Sequence, residues 1–349
     1  MEKKDIPLER LIRHFEVHNR TEGKSPRTLE WYARVLSHFE KYLKGCSHSL
    51  MLGDLSLDVA RGFVLHLQTR NRWEGHPLIH ASDDRLAAIS VQNYVRGLRA
   101  FFSWLHKDGY TEEHLLAHLR PPKAPHKVVE ILTEDEIRRI LACLDPDTTT
   151  GCRDMAIITT FLDSGPRLTE LTGLRLADAH IDEGYLKVMG KGAKERMVPI
   201  GSLAQKILLR YVFHFRQEPL RDDQDYLFLT LEGKPMSANA VHLIFVRLAE
   251  RSGVKRLHAH LCRHTFATNY LLNGGNVFFL QQILGHTTLE MVKRYVTTAS
   301  DQVVKQHGRF SPMDRMQVRR LGRLRTKPRQ GKRARTIETD KRLRRGRRL

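Results

Sequence analysis

The stretch that says most about this chain reads His260-Leu261-Cys262-Arg263-His264, and it is followed by Leu284-Gly285-His286 and then by Tyr295. Upstream stands an arginine in Gly165-Pro166-Arg167-Leu168-Thr169-Glu170-Leu171, and a lysine lies between them in Gly190-Lys191-Gly192. Arginines can clamp phosphate oxygens, histidines and lysine can move protons, and a phenol can become a nucleophile. Together these are the groups needed to attack a phosphodiester without a metal ion.

Taken singly, each of these residues also fits an ordinary structural role. Arg167 could pair with Glu170 on a helix surface, and Tyr295 could be a half-buried core tyrosine. Lys191 could be a turn lysine facing water, with Lys187 and Lys194 as alternatives, and His286 could cap a helix. His260 and Arg263, three residues apart, would share one face of a helix. The order and number of the motifs therefore carry more weight than any one of them.

Zinc binding is a different chemistry that the same stretch suggests. His260 and His264 have the i, i+4 spacing of a zinc-binding helix, and His258 and Cys262 add two further possible ligands. However, Leu261 occupies the place where the H-E-x-x-H motif has its glutamate. No other cysteine and histidine pair completes a site at a recognised spacing. We therefore expect neither a metal nor another cofactor.

The composition is that of a globular protein with room for two domains. The chain has 349 residues, of which 41% are hydrophobic and 28% charged. It contains no run of the roughly 20 apolar residues that cross a bilayer, and its first residues lack the apolar core of an export signal. The four cysteines are scattered, which favours a reducing compartment. We expect a cytoplasmic protein of bacterial type, associated with the nucleoid and not with a membrane.

The net charge of +20 points to a polyanionic partner, but its distribution is uneven. Residues 311–349 hold 16 Lys and Arg against 3 Asp and Glu, so this segment contributes most of the excess. It has few large apolar residues, and we expect it to be a disordered basic tail. The remainder is only moderately basic, so charge alone does not establish DNA binding.

Periodicity divides the rest of the chain into a helical first part and a mixed second part. Apolar residues at helical spacing predict helices from Ile6 to about Leu119, including one capped by Ser25 with Pro26 in its first turn. Pro121-Pro122-Lys123-Ala124-Pro125 marks a linker. Beyond it, Thr133 and Glu136 form the pattern of a capping box that opens a further helical region. The predicted helices there are Arg153–Leu162, Arg167–Leu174, Leu203–Phe215, Ala238–Ser252, His260–Asn273, Val277–Leu284 and Leu289–Tyr295.

One β element interrupts these helices. Tyr185–Met189 and Arg196–Ile200 flank a glycine-rich tip that carries Lys191, which predicts a β-hairpin. The predicted fold class is therefore mainly α with a small β-sheet (α+β).

With these motifs in order, the chain resembles a tyrosine recombinase of the phage integrase family, from about Ser25 to about Asp314. The resemblance implies a helical core-binding, SAM-like DNA-binding domain at 1–122, a catalytic domain at 123–314 and the basic tail at 315–349. It also implies a site-specific recombinase that integrates, excises or transposes a mobile element. Its partner would be double-stranded DNA at a specific recombination site, with a homotetramer assembled on paired sites.

The resemblance also implies the role of each candidate residue. Tyr295 would be the nucleophile, Arg167 and Arg263 the phosphate clamp, and His286 a hydrogen-bond donor to the phosphate. His260 would act in acid–base catalysis, and Lys191 would protonate the leaving oxygen. In the first domain, Lys24, Arg27, Arg96 and Arg99 stand where relatives place helices against the major groove, although a solvated surface explains them equally well.

Two departures and two alternatives accompany this interpretation. Pro166 precedes Arg167 where the family usually has another residue, and it would fit the first turn of a helix. Cys262 replaces the usual leucine and could make activity sensitive to oxidation. A type IB-like DNA topoisomerase would use the same chemistry as a monomer on one strand. A catalytically inactive DNA-binding protein would retain the helices and the basic tail.

Overall fold

The computed structural model describes residues 3–71, 83–123, 130–190, 194–286 and, beyond these, 288, 289, 292 and 295. The chain divides into two compact units, residues 1–127 and residues 128–349. Within the described ranges, no helix is both long and apolar enough to cross a bilayer.

The first unit is helical in its described part. Its helices are α1 (Leu8–Thr21), α2 (Pro26–Gly45), α3 (Leu57–Thr69) and α4 (Ala88–Lys107). The start of α2 confirms the prediction, since the Ser25 side chain accepts a hydrogen bond from the backbone N–H of Thr28 and Pro26 takes the first helical position. Helix α2 contacts each of the other three helices and so forms the centre of the unit.

Aromatic side chains fill the core of this unit. Phe39 packs edge-on against Phe63 with ring centroids 5.2 Å apart, and Phe101 does the same with Phe15 at 5.4 Å and with Phe102 at 5.6 Å. Edge-to-face contacts of this kind add to the free energy gained by burying the rings. The core of this unit is therefore stabilised by packing between aromatic rings.

The second unit combines helices with a small sheet. Its helices are α5 (Glu134–Ala142), α6 (Thr149–Ser164), α7 (Leu168–Thr172), α8 (Ser202–Arg210), α9 (Ala238–Ser252), α10 (Ala259–Leu272) and α11 (Val277–Leu284). The strands β1 (Ala179–His180), β2 (Tyr185–Met189) and β3 (Glu195–Pro199) form an antiparallel sheet in that order. This architecture confirms the predicted fold class. The capping box is also confirmed, because Thr133 and Glu136 exchange side chain to backbone hydrogen bonds.

Helix α6 is the centre of this unit and packs against α8 and α10. It is buried on nearly every side, and two of its hydroxyl groups bond to its own backbone: Thr160 Oγ1 donates to the carbonyl of Ala156 at 2.7 Å, and Ser164 Oγ donates to that of Thr160 at 2.8 Å. The helix ends at Gly165, whose φ of 60° lies in the left-handed region. A side chain there would also collide with the ring of Phe266, since an added Cβ would lie 2.7 Å from its Cδ1.

The structure corrects several predicted elements. Arg167 is the N-cap of the short helix α7 and not part of its first turn, so Pro166 lies outside that helix. The predicted helix Leu203–Phe215 is α8 followed by a π-turn at Tyr211–Phe215. Strand β1 was not predicted. Most of the predicted helix Leu289–Tyr295, and all of the basic tail, lie outside the described residues.

Candidate active site

Three arginines meet at the C-terminal end of α11. Arg196 Nε donates to the carbonyl of Ile283 at 2.9 Å, Arg263 Nη2 to that of Leu284 at 2.7 Å, and Arg167 Nη2 to that of Gly285 at 3.0 Å. The last carbonyls of a helix have no partner inside it and carry partial negative charge. Three successive carbonyls of one helix end therefore hold three guanidinium groups that come from β3, α10 and the start of α7.

Glu170 joins two of these arginines. Its carboxylate accepts Arg196 Nη1 and Nη2 at 2.7 Å each, Arg167 Nη1 at 2.6 Å and the Arg167 backbone N–H at 2.7 Å. Burial raises the pKa of this carboxyl, but the hydrogen bonds and charges of Arg196 and Arg167 outweigh it and lower the pKa to about 2. The Glu170–Arg167 pair is thus the predicted i, i+3 pair, but its carboxylate is only 5% exposed.

Arg263 is the most buried of the three guanidinium groups. It is 4% exposed, and its Nη1 donates to the carbonyl of Gly165 at 2.6 Å, so the left-handed end of α6 helps to hold it. Burial lowers its pKa to about 10, with the charge of Arg167 acting in the same direction and that of Glu170 opposing it. At neutral pH the group is still cationic, as a phosphate clamp requires.

His286 follows the same helix end and is buried. Its Nε2 lies 3.1 Å from Arg263 Nη2. A guanidinium can only donate, so Nε2 is the acceptor in this contact and the ring proton of a neutral imidazole lies on Nδ1. His286 and Arg263 therefore form one hydrogen-bonded pair beside the Leu284 carbonyl.

Tyr295 lies against α10, where it contacts His264, the residue that follows Arg263 in that helix. Its phenol oxygen is 2.8 Å from Nδ1 of His264, and the side chain is 0% exposed. The ring of His264 stacks in turn on that of His260, with centroids 6.2 Å apart and planes 18° apart. His260 is exposed near the start of α10, whereas His264 is half-buried. The two histidines thus extend from the buried phenol to the protein surface.

The structure brings together five of the six predicted catalytic residues: Arg167, His260, Arg263, His286 and Tyr295 share one region around α10 and the end of α11. Lys191 lies outside the described residues. The base of its hairpin is closed by a 2.8 Å hydrogen bond from the Gly190 N–H to the Lys194 carbonyl. Lys187, one of the alternatives to Lys191, is engaged in a cross-strand ion pair with Glu195 at 2.9 Å.

The four predicted DNA contacts lie on α4 and around the start of α2. Arg27 and Arg96 are exposed, and Arg99 is half-buried. Lys24 is exposed and pairs with Glu22 at 3.1 Å. A hydrogen bond from this lysine, together with its charge, lowers the pKa of the Glu22 carboxyl.

Three residues of the site were missed as functional groups in the sequence. His264 stands in the quoted stretch, and its spacing from His260 suggested only zinc. Arg196 was assigned to a strand without a role, and Glu170 was treated as a surface partner. Each acquires its role through a contact with a residue of another element, which periodicity does not reveal.

Cys262 faces the core. It is 0% exposed, and burial raises the pKa of its thiol to about 12, so little reactive thiolate forms. This burial argues against the predicted sensitivity of activity to oxidation at Cys262. Among the described residues, no three His, Cys, Asp or Glu side chains lie together as metal ligands would.

Several known proteins are similar to this chain in sequence. Residues 130–302 match the phage integrase family. A tyrosine recombinase XerC of Xylella fastidiosa (strain 9a5c) is 34% identical over 238 residues, which span 67% of this chain and 78% of the relative. A tyrosine recombinase XerD of Listeria monocytogenes serotype 4b (strain F2365) is 28% identical over 306 residues, 86% of this chain and 96% of the relative.

Solved structures agree in fold. A lambda integrase dimer bound to a COC′ core site aligns with a TM-score of 0.62 at 18% identity, covering 82% of this chain and 97% of that one. The Tn1549 transposon integrase in complex with transposon right end DNA aligns with a TM-score of 0.67 at 18% identity, covering 87% and 99%. The chain belongs to the phage integrase family of tyrosine recombinases. It is accordingly an enzyme of site-specific recombination, which cleaves and rejoins DNA through a tyrosine nucleophile without metal or ATP.

Proposed function

We propose that this enzyme recombines a specific DNA site of a mobile element, with Tyr295 as its nucleophile. The phenol oxygen attacks the scissile phosphorus, a bond to the 5′ oxygen breaks, and a 3′-phosphotyrosyl link forms. The phenol gives its proton to the adjoining histidine pair, His264 and His260, and the departing 5′ oxygen gains one from Lys191. Because the phosphotyrosyl link conserves the energy of the broken bond, a 5′ hydroxyl from another strand can reverse the step.

The arrangement around the end of α11 carries this proposal. Arg167 and Arg263 are held side by side by the successive carbonyls of Gly285 and Leu284, and His286 is bonded to Arg263. The side chain of Arg167 is 31% exposed and so presents donors to a ligand, while Arg263 supplies a buried charge behind it. Preorganised donors aimed at a developing negative charge each contribute on the order of 3 kcal/mol to catalysis.

Proton transfer is assigned to the groups that touch or adjoin the phenol. His264 contacts the phenol oxygen directly, and the exposed ring of His260 stacks on the ring of His264. We assign His260 to acid–base assistance of the reaction. The phenol is buried, so DNA binding has to expose it or bring the phosphate to it.

Assembly and location complete the proposal. Exchange between two duplexes needs four active sites, so the working form is a homotetramer on paired DNA sites, with the segment 301–310 as the candidate docking element between neighbours. Arg27, Arg96, Arg99 and Lys24 contact the DNA backbone or grooves. The protein works in the bacterial cytoplasm at the nucleoid, where its substrate is.

The test traps DNA on the protein. Wild-type protein and Tyr295→Phe are expressed in a host that carries the surrounding DNA, denatured rapidly, and the covalently attached DNA is sequenced. We expect one recurrent site with wild type and no adduct with Tyr295→Phe. An adduct that survives in Tyr295→Phe refutes the nucleophile, and no adduct with wild type supports the inactive DNA-binding alternative.

The recovered site then separates the two enzymatic alternatives. A plasmid pair carrying the site should undergo strand exchange, whereas a plasmid lacking it should stay supercoiled. Relaxation of both plasmids without exchange would identify a topoisomerase. Transfer of a flanked segment between replicons would support the mobile-element role, and resolution of plasmid dimers alone would contradict it.

A further inference from the structure

Arg196 is the arginine at the site that the proposed chemistry does not use. It extends from β3, its side chain is 13% exposed, and all three of its nitrogens donate to the protein. Nη1 and Nη2 bond to the two carboxylate oxygens of Glu170, and Nε bonds to the Ile283 carbonyl. Because all three nitrogens are engaged and the side chain is less exposed than that of Arg167, the group is arranged to hold other residues and not to grip a phosphate.

The residues that Arg196 holds are those that locate Arg167. Within the described part of the chain, the Arg167 guanidinium makes two hydrogen bonds: Nη1 donates to Glu170 Oε1 and Nη2 donates to the Gly285 carbonyl. Arg196 binds both oxygens of the same carboxylate and the carbonyl two residues before Gly285. It therefore braces both supports of Arg167 at once, from a third element of the fold.

Packing at Gly285 tightens the same arrangement. A Cβ on Gly285 would lie 3.0 Å from Cζ and from Nε of Arg196, so the backbone of this turn rests directly on the guanidinium plane. A side chain in place of glycine would push the two apart. The end of α11 is thus set by contact with Arg196 as well as by its hydrogen bond.

We propose that Arg196 is a positioning residue for DNA cleavage: through Glu170 and the end of α11 it fixes Arg167 where that arginine can clamp the scissile phosphate. The inference rests on the proposed role of Arg167. Its physical basis is that a displacement of about 1 Å of a catalytic group can slow a reaction about 100-fold. A lysine can replace the function only in part, since it offers a point charge in place of a fixed fork of donors.

The experiment measures single-turnover formation of the covalent adduct on a nicked duplex that carries the trapped site, at saturating protein. Arg196→Met should form adduct about 100-fold more slowly than wild type. Its affinity for the same duplex, measured separately, should stay within about 3-fold, because the donors of Arg196 are engaged within the protein. Arg196→Lys retains the charge that Glu170 needs for folding and should show an intermediate loss of rate.

A double-mutant cycle distinguishes positioning from a general structural role. If Arg196 acts through Arg167, replacing it in an Arg167→Ala background should change the remaining rate by no more than about 2-fold. A purely structural defect would multiply with the loss of Arg167. Equal losses from Arg196→Met in both backgrounds would overturn the proposal.

The hairpin supplies a matched control. Glu195 precedes Arg196 and pairs with Lys187 on the solvent face, and Glu195→Gln should leave the rate of adduct formation unchanged. A folded Arg196→Met or Arg196→Lys protein that cleaves at the wild-type rate refutes the inference alone. If Arg167→Ala itself cleaves normally, the proposed function of Arg167 fails instead, so the two failures remain distinguishable.

Discussion

The two units of this protein bury different kinds of side chain. Among the described residues, the first unit buries the uncharged polar side chain of Asn19, which donates to the Phe15 carbonyl, whereas the second buries several charged groups, among them Arg153, Asp154, Glu170 and Arg263. Burying a charge seldom increases stability over an apolar residue of similar volume, because the desolvation penalty offsets the attraction. The core of the first unit therefore contributes to stability by apolar packing, whereas the second unit retains costly buried charges, two of which, Glu170 and Arg263, lie in the proposed phosphate-binding site.

The largest expected effect tests the first half of this comparison. Phe101 is 0% exposed and packs against Phe15 and Phe102, so Phe101→Ala should reduce the stability of the first unit by about 3–5 kcal/mol. The three tryptophans of the chain lie before residue 128, so their fluorescence during urea unfolding reports this unit.

Leu65→Ala is the control, because Leu65 is 62% exposed on α3 and its removal should change stability by less than about 0.5 kcal/mol. A similar loss for both variants would mean that the aromatic core does not dominate this unit.

The next effect concerns catalysis in the second unit. Arg263→Met removes a buried donor from the phosphate clamp and should slow adduct formation about 100- to 1000-fold per folded molecule. Arg153→Met is the matched control, since Arg153 is also buried but bonds to Asp154 and to the Leu229 carbonyl. It should lower stability and leave the cleavage rate of the folded fraction unchanged. Equal loss of cleavage in both variants would contradict a special role for the charges at the end of α11.

Acid should weaken the second unit through Glu170. The pKa of this carboxyl is about 2 in the folded protein against an ordinary 4.5. The contribution of the ionised carboxylate to the free energy of unfolding is therefore fully present above pH 4.5 and is lost as the pH falls through 2. The shift corresponds to about 3 kcal/mol.

Hydrogen exchange of α7 and α11, compared between wild type and Glu170→Gln, measures this contribution. The stability advantage of wild type should be constant from pH 7 to about 5 and should shrink below pH 4.5. An advantage that grows with acid would reverse the assigned direction of the pKa shift.

Local patterns account for what the sequence could predict. The caps at Ser25 and Thr133 act within three residues, so both helix starts were readable, and the hairpin followed from two alternating runs around glycines. Strand β1 has only two residues and offers no period to detect. The π-turn after α8 continues the apolar pattern of a helix and cannot be told from it by spacing.

The candidate site was predicted by the order of its motifs, not by geometry. The resemblance indicated Arg167, Arg263, His286 and Tyr295, but it did not indicate which residues hold them in place. Arg196 is 26 residues from Glu170 in sequence, and His264 is 31 residues from Tyr295, so only the folded chain joins them. Glu170 was within reach of the sequence argument, yet its burial was not, since burial depends on the packing of three elements.

The smallest expected effect compares two glycines, one from each unit. Gly109 and Gly285 both adopt left-handed φ values, 72° and 62°, but an added Cβ at Gly109 would meet nothing within 4 Å, whereas at Gly285 it would press on Arg196. Gly109→Ala should therefore cost only the backbone strain of about 1–2 kcal/mol, with no change in the rate of adduct formation. Gly285→Ala carries the same strain and in addition displaces Arg196 or the carbonyl that holds Arg167, so it should also cleave more slowly.

Thermal unfolding and single-turnover cleavage of the two variants separate these contributions, because strain alone changes only the unfolding temperature. Equal cleavage rates for Gly109→Ala and Gly285→Ala would show that the end of α11 tolerates displacement, and the buried charges would then need another explanation.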